Sequence, residues 1–231
     1  AGLDILDCKT KPLFSARYPE RVYDKFDEAP QLLVKSLLFI ENRELLDPTY
    51  PKRNPAVEWD RFGKAVFDKS LHVFTGSDRR SAGGSTLATQ IEKYRHSPEG
   101  RTGSLSEKLR QMVSATLRAY QFGEDTTQVR RKIVVDYLNT VPLSAKVGFG
   151  EVNGMGDGMW VWYGRSFDEV NRVLKGPITT PEGALAYKQA LSLMIAQRRP
   201  AHYLGAGAQD LEDLTNVHLR VLAQAGVITA Q

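Results

Sequence analysis

PQLLVKSLLFIENREL, residues 30–45, sets the fold class. Pro30 has the fixed φ and the missing amide hydrogen that suit a first helical position. Leu33, Leu37 and Ile40 then recur four and three residues apart, the stripe of an α-helix rather than the alternation of a strand. The same period returns along most of the chain. Asn54-Pro55 announces a second helix with Trp59, Phe62 and Val66 spaced for burial, fading near Gly76. Gly83-Gly84-Ser85 opens a third through Tyr94. Ser104 with Glu107 forms a capping-box pattern for a fourth, whose predicted buried face is Leu105, Leu109, Met112, Val113 and Leu117. A fifth runs from about Asp125 to DYLNTVP, where Pro142 prevents continuation. Thr180-Pro181-Glu182 starts another that carries Leu185, Leu191, Met194 and Ile195 to Ala196, and the last covers about Asp210 to Ala225, closed by Gly226.

The chain therefore reads as all-α. Residues 1–29 contain Pro12, Pro19 and several aromatics without a steady period, and read as an extended connector or N-terminal segment ahead of a domain at 30–231. Glycines 148, 150, 154, 156 and 158, followed by Trp160 and Trp162, read as a mobile loop leading back into packed structure. With no strand before them they do not make a dinucleotide-binding turn.

Composition removes several functions. The 231 residues include 42% hydrophobic and 25% charged residues, the balance of a globular domain with a core. No uncharged stretch approaches the roughly 18 apolar residues that span a bilayer. A lone Cys8 forbids an internal disulfide and a Cys-rich zinc site. GxxxxGK[ST] and HExxH are missing and the histidines at 72, 96, 202 and 218 are scattered, which argues against nucleotide-triphosphate and zinc chemistry. The start at Ala1, without a signal peptide, reads as an excised domain whose anchor lies outside the chain.

The formal charge of +4 is concentrated. Glu92 to Lys132 holds nine cations against five anions, an excess equal to that of the whole chain. Lys93, Arg101 and one of Lys108 or Arg110 can converge at helix ends, where a phosphate or pyrophosphate is the natural partner; Arg130 and Arg131 read as solvated. The plainer alternative for the whole run is a solvated surface with i, i+3/4 pairing. Glu41 follows the apolar run SLLFI, and desolvation there favours the proton uptake that a general base needs. Its plainer alternative is a helix-end carboxylate facing Arg43 or solvent.

The order of the segments adds what none carries alone. ENRELLDP (41–48), GGSTLATQIEKY (83–94), SEKLRQM (106–112), VVDYLNTVPLS (134–144) and WYGRS followed by TTPEGALAYKQALSLMIAQRRPAHY resemble, collinearly over about residues 20–205, glycosyltransferase family 51. These are the peptidoglycan glycosyltransferase domains of penicillin-binding proteins and monofunctional transglycosylases. The resemblance implies a lysozyme-like helical lobe with a smaller membrane-facing jaw. It implies polymerisation of lipid II with release of undecaprenyl pyrophosphate, at the extracytoplasmic face of the bacterial inner membrane. Partners would be lipid II or another lipid-linked glycan, the membrane surface and other cell-wall synthesis proteins, with no nucleic acid.

Carried over, Glu41 is the base that takes the proton of the acceptor 4-hydroxyl. Gly84, Ser85, Thr86 and Gln90 shape the donor pocket, and Lys93, Arg101, Lys108 and Arg110 bind the pyrophosphate. The family's second catalytic Glu falls on Gln111, which keeps the shape and loses the charge. Its motif Arg falls on Glu107, and Ala88, Thr89, Asn42, Leu45, Pro48 and Val135 depart from the pattern as well. No metal ligand set is expected, although magnesium or manganese use stays open at Gln111. Two other readings follow: a binding module for lipid-linked precursors, favoured by Gln111, and a lytic transglycosylase or muramidase, disfavoured because cleaving a neutral glycan does not need concentrated cations. The apolar side chains of Leu45 and Leu46, and those around Phe74, are candidates for membrane contact; Trp160, Trp162 and Tyr163 read as core anchors.

Overall fold

The structure, a computed structural model, describes residues 2–17, 20–56, 86–96 and 105–229. In chain order these form β1 (Gly2–Leu6), β2 (Pro12–Arg17), a 3-10 turn (Phe26–Glu28), α1 (Gln31–Glu41), α2 (Leu87–His96), α3 (Leu105–Ala119), α4 (Thr127–Thr140), β3 (Pro142–Lys146), β4 (Gly150–Asn153), α5 (Met155–Tyr163), α6 (Phe167–Lys175), α7 (Pro181–Ala196), α8 (Pro200–Tyr203) and α9 (Ala208–Gln224). Helices dominate, as expected from the periodicity, and the two sheets are single hairpins.

The lobe is built round α7. Thr180 Oγ1 accepts the Gly183 N–H at 3.1 Å, Pro181 occupies the first turn and Glu182 sits at the positive helix end, so the start is fixed three ways. Residues 191–196 are buried without interruption, which happens only when neighbours cover every side. Those neighbours are α1, α5, α6 and α9. The Tyr187 hydroxyl meets Ser36 Oγ of α1 at 2.7 Å, and Ser36 Oγ donates on to the Leu32 carbonyl, so Tyr187 is the donor between the helices. Burial pushes its phenol above the ordinary value and keeps that proton in place.

The structure departs from the sequence expectations at several points. Residues 147–158 are not a loose loop: β3 and β4 pair antiparallel and α5 begins inside the glycine run. Gly154 has φ +83°, and a Cβ on Gly156 would fall 2.0 Å from the Arg21 carbonyl oxygen. Close approach, not flexibility, selects glycine there. In the N-terminal segment β1 and β2 form a hairpin turned by Asp7, whose Oδ1 accepts from the Lys9 and Lys11 amides at 2.8 and 2.9 Å. Further on, Asn139 pins the chain through both atoms of its amide, accepting from Tyr23 N–H at 2.9 Å and donating to the Tyr23 carbonyl at 2.8 Å. Packing thus reaches back before residue 30, with Tyr23 and Ala29 in the core.

A further correction concerns α3. Its buried positions include Gln111, Ala115 and Ala119, while Val113 and Leu117 are exposed. Small and amide side chains admit the close approach of α2, which outweighs the apolar stripe. Helix α6, absent from the sequence reading, is short but amphipathic, with Asp168 and Glu169 in its first turn and Val170 and Leu174 buried. Leu45 is buried rather than available to a membrane. The expected second helix, including Trp59, Phe62 and Val66, and Phe74 beyond it, lies outside the described residues.

Candidate active site

Glu41 is the last residue of α1, where the helix gives way to turns at 43–46. The Arg43 side chain folds back, donating Nε–H to the Phe39 carbonyl at 3.1 Å with the guanidinium 3.9 Å from the Phe39 ring. Glu41 turns inward instead. Its Oε2 accepts from Gln90 Nε2 of α2 at 3.3 Å, and its Oε1 accepts from Gln197 Nε2, just past α7, also at 3.3 Å. Arg198 Nη2 lies 3.5 Å from Oε1. The Glu41 side chain is 12% exposed, which leaves it an opening to solvent. Apolar residues flank it along its own helix, as the sequence suggests, but its tertiary neighbours include two amides and a guanidinium.

This arrangement suits a proton acceptor. Two amides fix the plane of the carboxylate, and bonds of 3.3 Å are long enough to be given up to a hydroxyl arriving through the opening. Arg198 is 43% exposed, where it can also meet a negatively charged ligand.

The loop behind Glu41 is held from α4 by Arg130, 1% exposed. Its Nη1 donates to the carbonyls of Leu45 at 2.9 Å and Asp47 at 3.1 Å, and its Nη2 contacts the Pro51 carbonyl and Thr127 Oγ1. Burial lowers its pKa from the ordinary guanidinium value, with the charge of Asp125 acting in the opposite direction. The reading of Arg130 as a solvated cation is therefore corrected. A loop rich in Pro and turns has carbonyls that no helix satisfies, and one fork-shaped donor collects them.

Helix α2 brings up Gln90. Thr86 and Thr89 cap its start reciprocally: Thr89 N–H donates to Thr86 Oγ1 at 3.3 Å, and Thr86 N–H donates to Thr89 Oγ1 at 2.9 Å. Thr86 is almost fully buried, so it fixes the helix that aims Gln90. Lys93 stands one turn beyond Gln90 and is half-buried. Of the other expected site residues, Gly84, Ser85 and Arg101 lie outside the described residues. Lys108 belongs to α3, but its side chain is outside them too, and Arg110 is exposed on α3.

Gln111 is buried on the face of α3 that carries Ser114 and Arg118. Those two hold Glu92 of α2, which is 2% exposed: Ser114 Oγ donates to it at 2.8 Å and Arg118 Nε lies 3.1 Å away. The region where the resemblance expects a carboxylate on α3 therefore has one on α2, engaged by a cation. Sequence reading counted Glu92 only as part of a charged run. It also passes over Gln197 and Arg198, whose signal is their position directly after the buried run 191–196, where chain direction changes and side chains can reach a neighbouring helix end.

Among the described residues, no group of three or more His, Cys, Asp or Glu side chains gathers as a metal site, and no helix is long and apolar enough to cross a membrane. Comparison with curated proteins gives no match. The Transglycosylase family model matches residues 9–225, nearly the whole chain, and the chain belongs to that family.

Proposed function

From membership of the transglycosylase family as premise, we propose that this domain polymerises peptidoglycan glycan from lipid II, with Glu41 as the general base. One observation carries the reading. Glu41, Gln90 and the Gln197-Arg198 pair come from three separate family-like segments, at 41–48, 83–94 and 179–203, and meet through hydrogen bonds and an ion pair on a single carboxylate.

In the reaction, the acceptor 4-hydroxyl gives its proton to Glu41 as its oxygen attacks the anomeric carbon of the donor. The bond from that carbon to the pyrophosphate oxygen breaks on the opposite face, and undecaprenyl pyrophosphate leaves with the electron pair, inverting the centre. A sugar hydroxyl is too weak an acid to ionise unaided, and a positioned carboxylate removes that barrier. The leaving group gains negative charge as the bond breaks. Lys93, Arg101, Lys108 and Arg110 supply the countercharge, the electrostatic contribution that is commonly the largest. Gln90 and Gln197 keep Glu41 oriented between turnovers.

The donor set on the described residues does not fit a divalent cation. Gln111 offers a neutral amide, and Glu92 is held by Arg118 and Ser114. The chemistry belongs to cell-wall synthesis outside the cytoplasm, where lipid-linked precursors are joined.

Gln111 also favours a second reading, a module that binds lipid-linked precursors without joining them. Incubating the domain, with a membrane anchor, with labelled lipid II in detergent distinguishes the two. Polymer resolved by gel supports the transferase; lipid II binding without polymer, both in the wild type and in Gln111→Glu, establishes the binding module instead.

A further inference from the structure

A cleft of about 410 Å³ lies between α5, α7, α8 and α9. Leu185 and Gln189 line it, whereas Tyr187, which meets α1, projects roughly 200° away around a helix of about 3.6 residues per turn. Gln90, Gln197 and Arg198, which bond Glu41, do not line the cleft.

The geometry points to a second, non-catalytic site here for an N-acetylated hexosamine within a glycan strand. Three aromatic side chains, Trp162, Tyr163 and Tyr203, form walls. Two are locked: Trp162 Nε1–H donates to the Leu143 carbonyl at 3.0 Å, and the Tyr163 hydroxyl shares a 2.6 Å bond with Ser192 Oγ. Rings held in this way present an apolar surface without losing side-chain freedom on binding. A pyranose has a matching C–H face, and its hydroxyl edge needs fixed donors and acceptors.

Gln189 provides one of these, its Oε1 already oriented by Arg165 Nε at 3.1 Å, and the Lys188–Glu212 ion pair provides the others. The Lys188 charge is met by Glu212, which disfavours phosphate and leaves a site for a neutral polar ligand. Leu204 and Leu211 add an apolar corner of the size an acetamido methyl fills. Such a site would hold a strand already made and keep its end near Glu41 at high effective concentration. That role rests on the proposed transferase reaction, but the binding does not.

The test titrates the domain with N-acetylchitotetraose and follows the Trp162 indole N–H by NMR. Saturable shifts in roughly the millimolar range are expected. Ala208→Trp, placed at an exposed position on the cleft, should weaken binding at least about tenfold, and Tyr203→Ala should do so too. Glu41→Gln should bind unchanged, so loss of turnover and loss of this site are separable. Absence of a saturable shift at Trp162, binding that survives Ala208→Trp in a folded protein, or an equal response to maltotetraose would overturn the assignment.

Discussion

Helices α7 and α3 both carry apolar residues at helical spacing, and the structure uses them in opposite ways. On α7 the whole run 191–196 is inside. On α3, Val113 and Leu117 face outward while Gln111, Ala115 and Ala119 are buried. The difference lies in the partner. Helix α7 meets neighbours on several sides, and bulk is needed to fill the space between them. Helix α3 meets α2 through small and polar groups, with Glu92, Ser114 and Arg118 bonded across the contact. A pattern of apolar residues identifies a helix, but what faces it decides which side is buried.

Truncations can break this contrast, and the largest effect is expected at the loop clamp. Arg130→Ala strands the Leu45 and Asp47 carbonyls in a buried site and should destabilise the domain by about 3–5 kcal/mol in urea unfolding. Arg131→Ala, next in sequence but exposed, should stay within about 0.5 kcal/mol. Equal effects would return both residues to the solvated class. Next comes the helix comparison itself: Leu191→Ala should cost about 2–4 kcal/mol by leaving a cavity, and Leu117→Gln under about 0.5. Similar losses from both would mean that the α3 stripe is buried after all.

A smaller effect sharpens the link from packing to site. Thr86→Ala removes one half of the reciprocal cap and should cost about 1 kcal/mol of stability. Because α2 aims Gln90 at Glu41, turnover should fall by more than Thr89→Ser, which keeps a cap, lowers it. The smallest effect is acid sensitivity at the α7–α9 contact. Hydrogen bonding to Lys188 holds the Glu212 carboxyl below its ordinary value of 4.5. A carboxyl depressed by folding stabilises above its unfolded pKa and loses that contribution as pH falls through the folded one. The decline in melting temperature below about pH 4.5 should therefore be shallower in Lys188→Met than in the wild type.

Much of the lobe was legible because helix starts are local chemistry: Thr180-Pro181-Glu182 needs no partner to be recognised. Glu41 was legible for a similar reason, as a carboxylate ending an apolar run. The rest depended on what folding brings together. Arg130 looks like any member of a basic run until the carbonyls of residues 45–51 arrive beside it. Glycines 154 and 156 suggest flexibility until the backbones of Asn139 and Arg21 are seen against them. Gln197 and Arg198 join the site only because α7 ends where α1 ends, a coincidence in space that no spacing along the chain encodes.

The assignment of Glu41 as base is tested most directly by polymer formation from lipid II with wild type and Glu41→Gln side by side, each checked for folding by circular dichroism. The amide keeps the size and the hydrogen-bonding reach but cannot take the hydroxyl proton. A loss of at least about a hundredfold in turnover, with lipid II still bound, is the expected result. Turnover that survives Glu41→Gln would contradict the account.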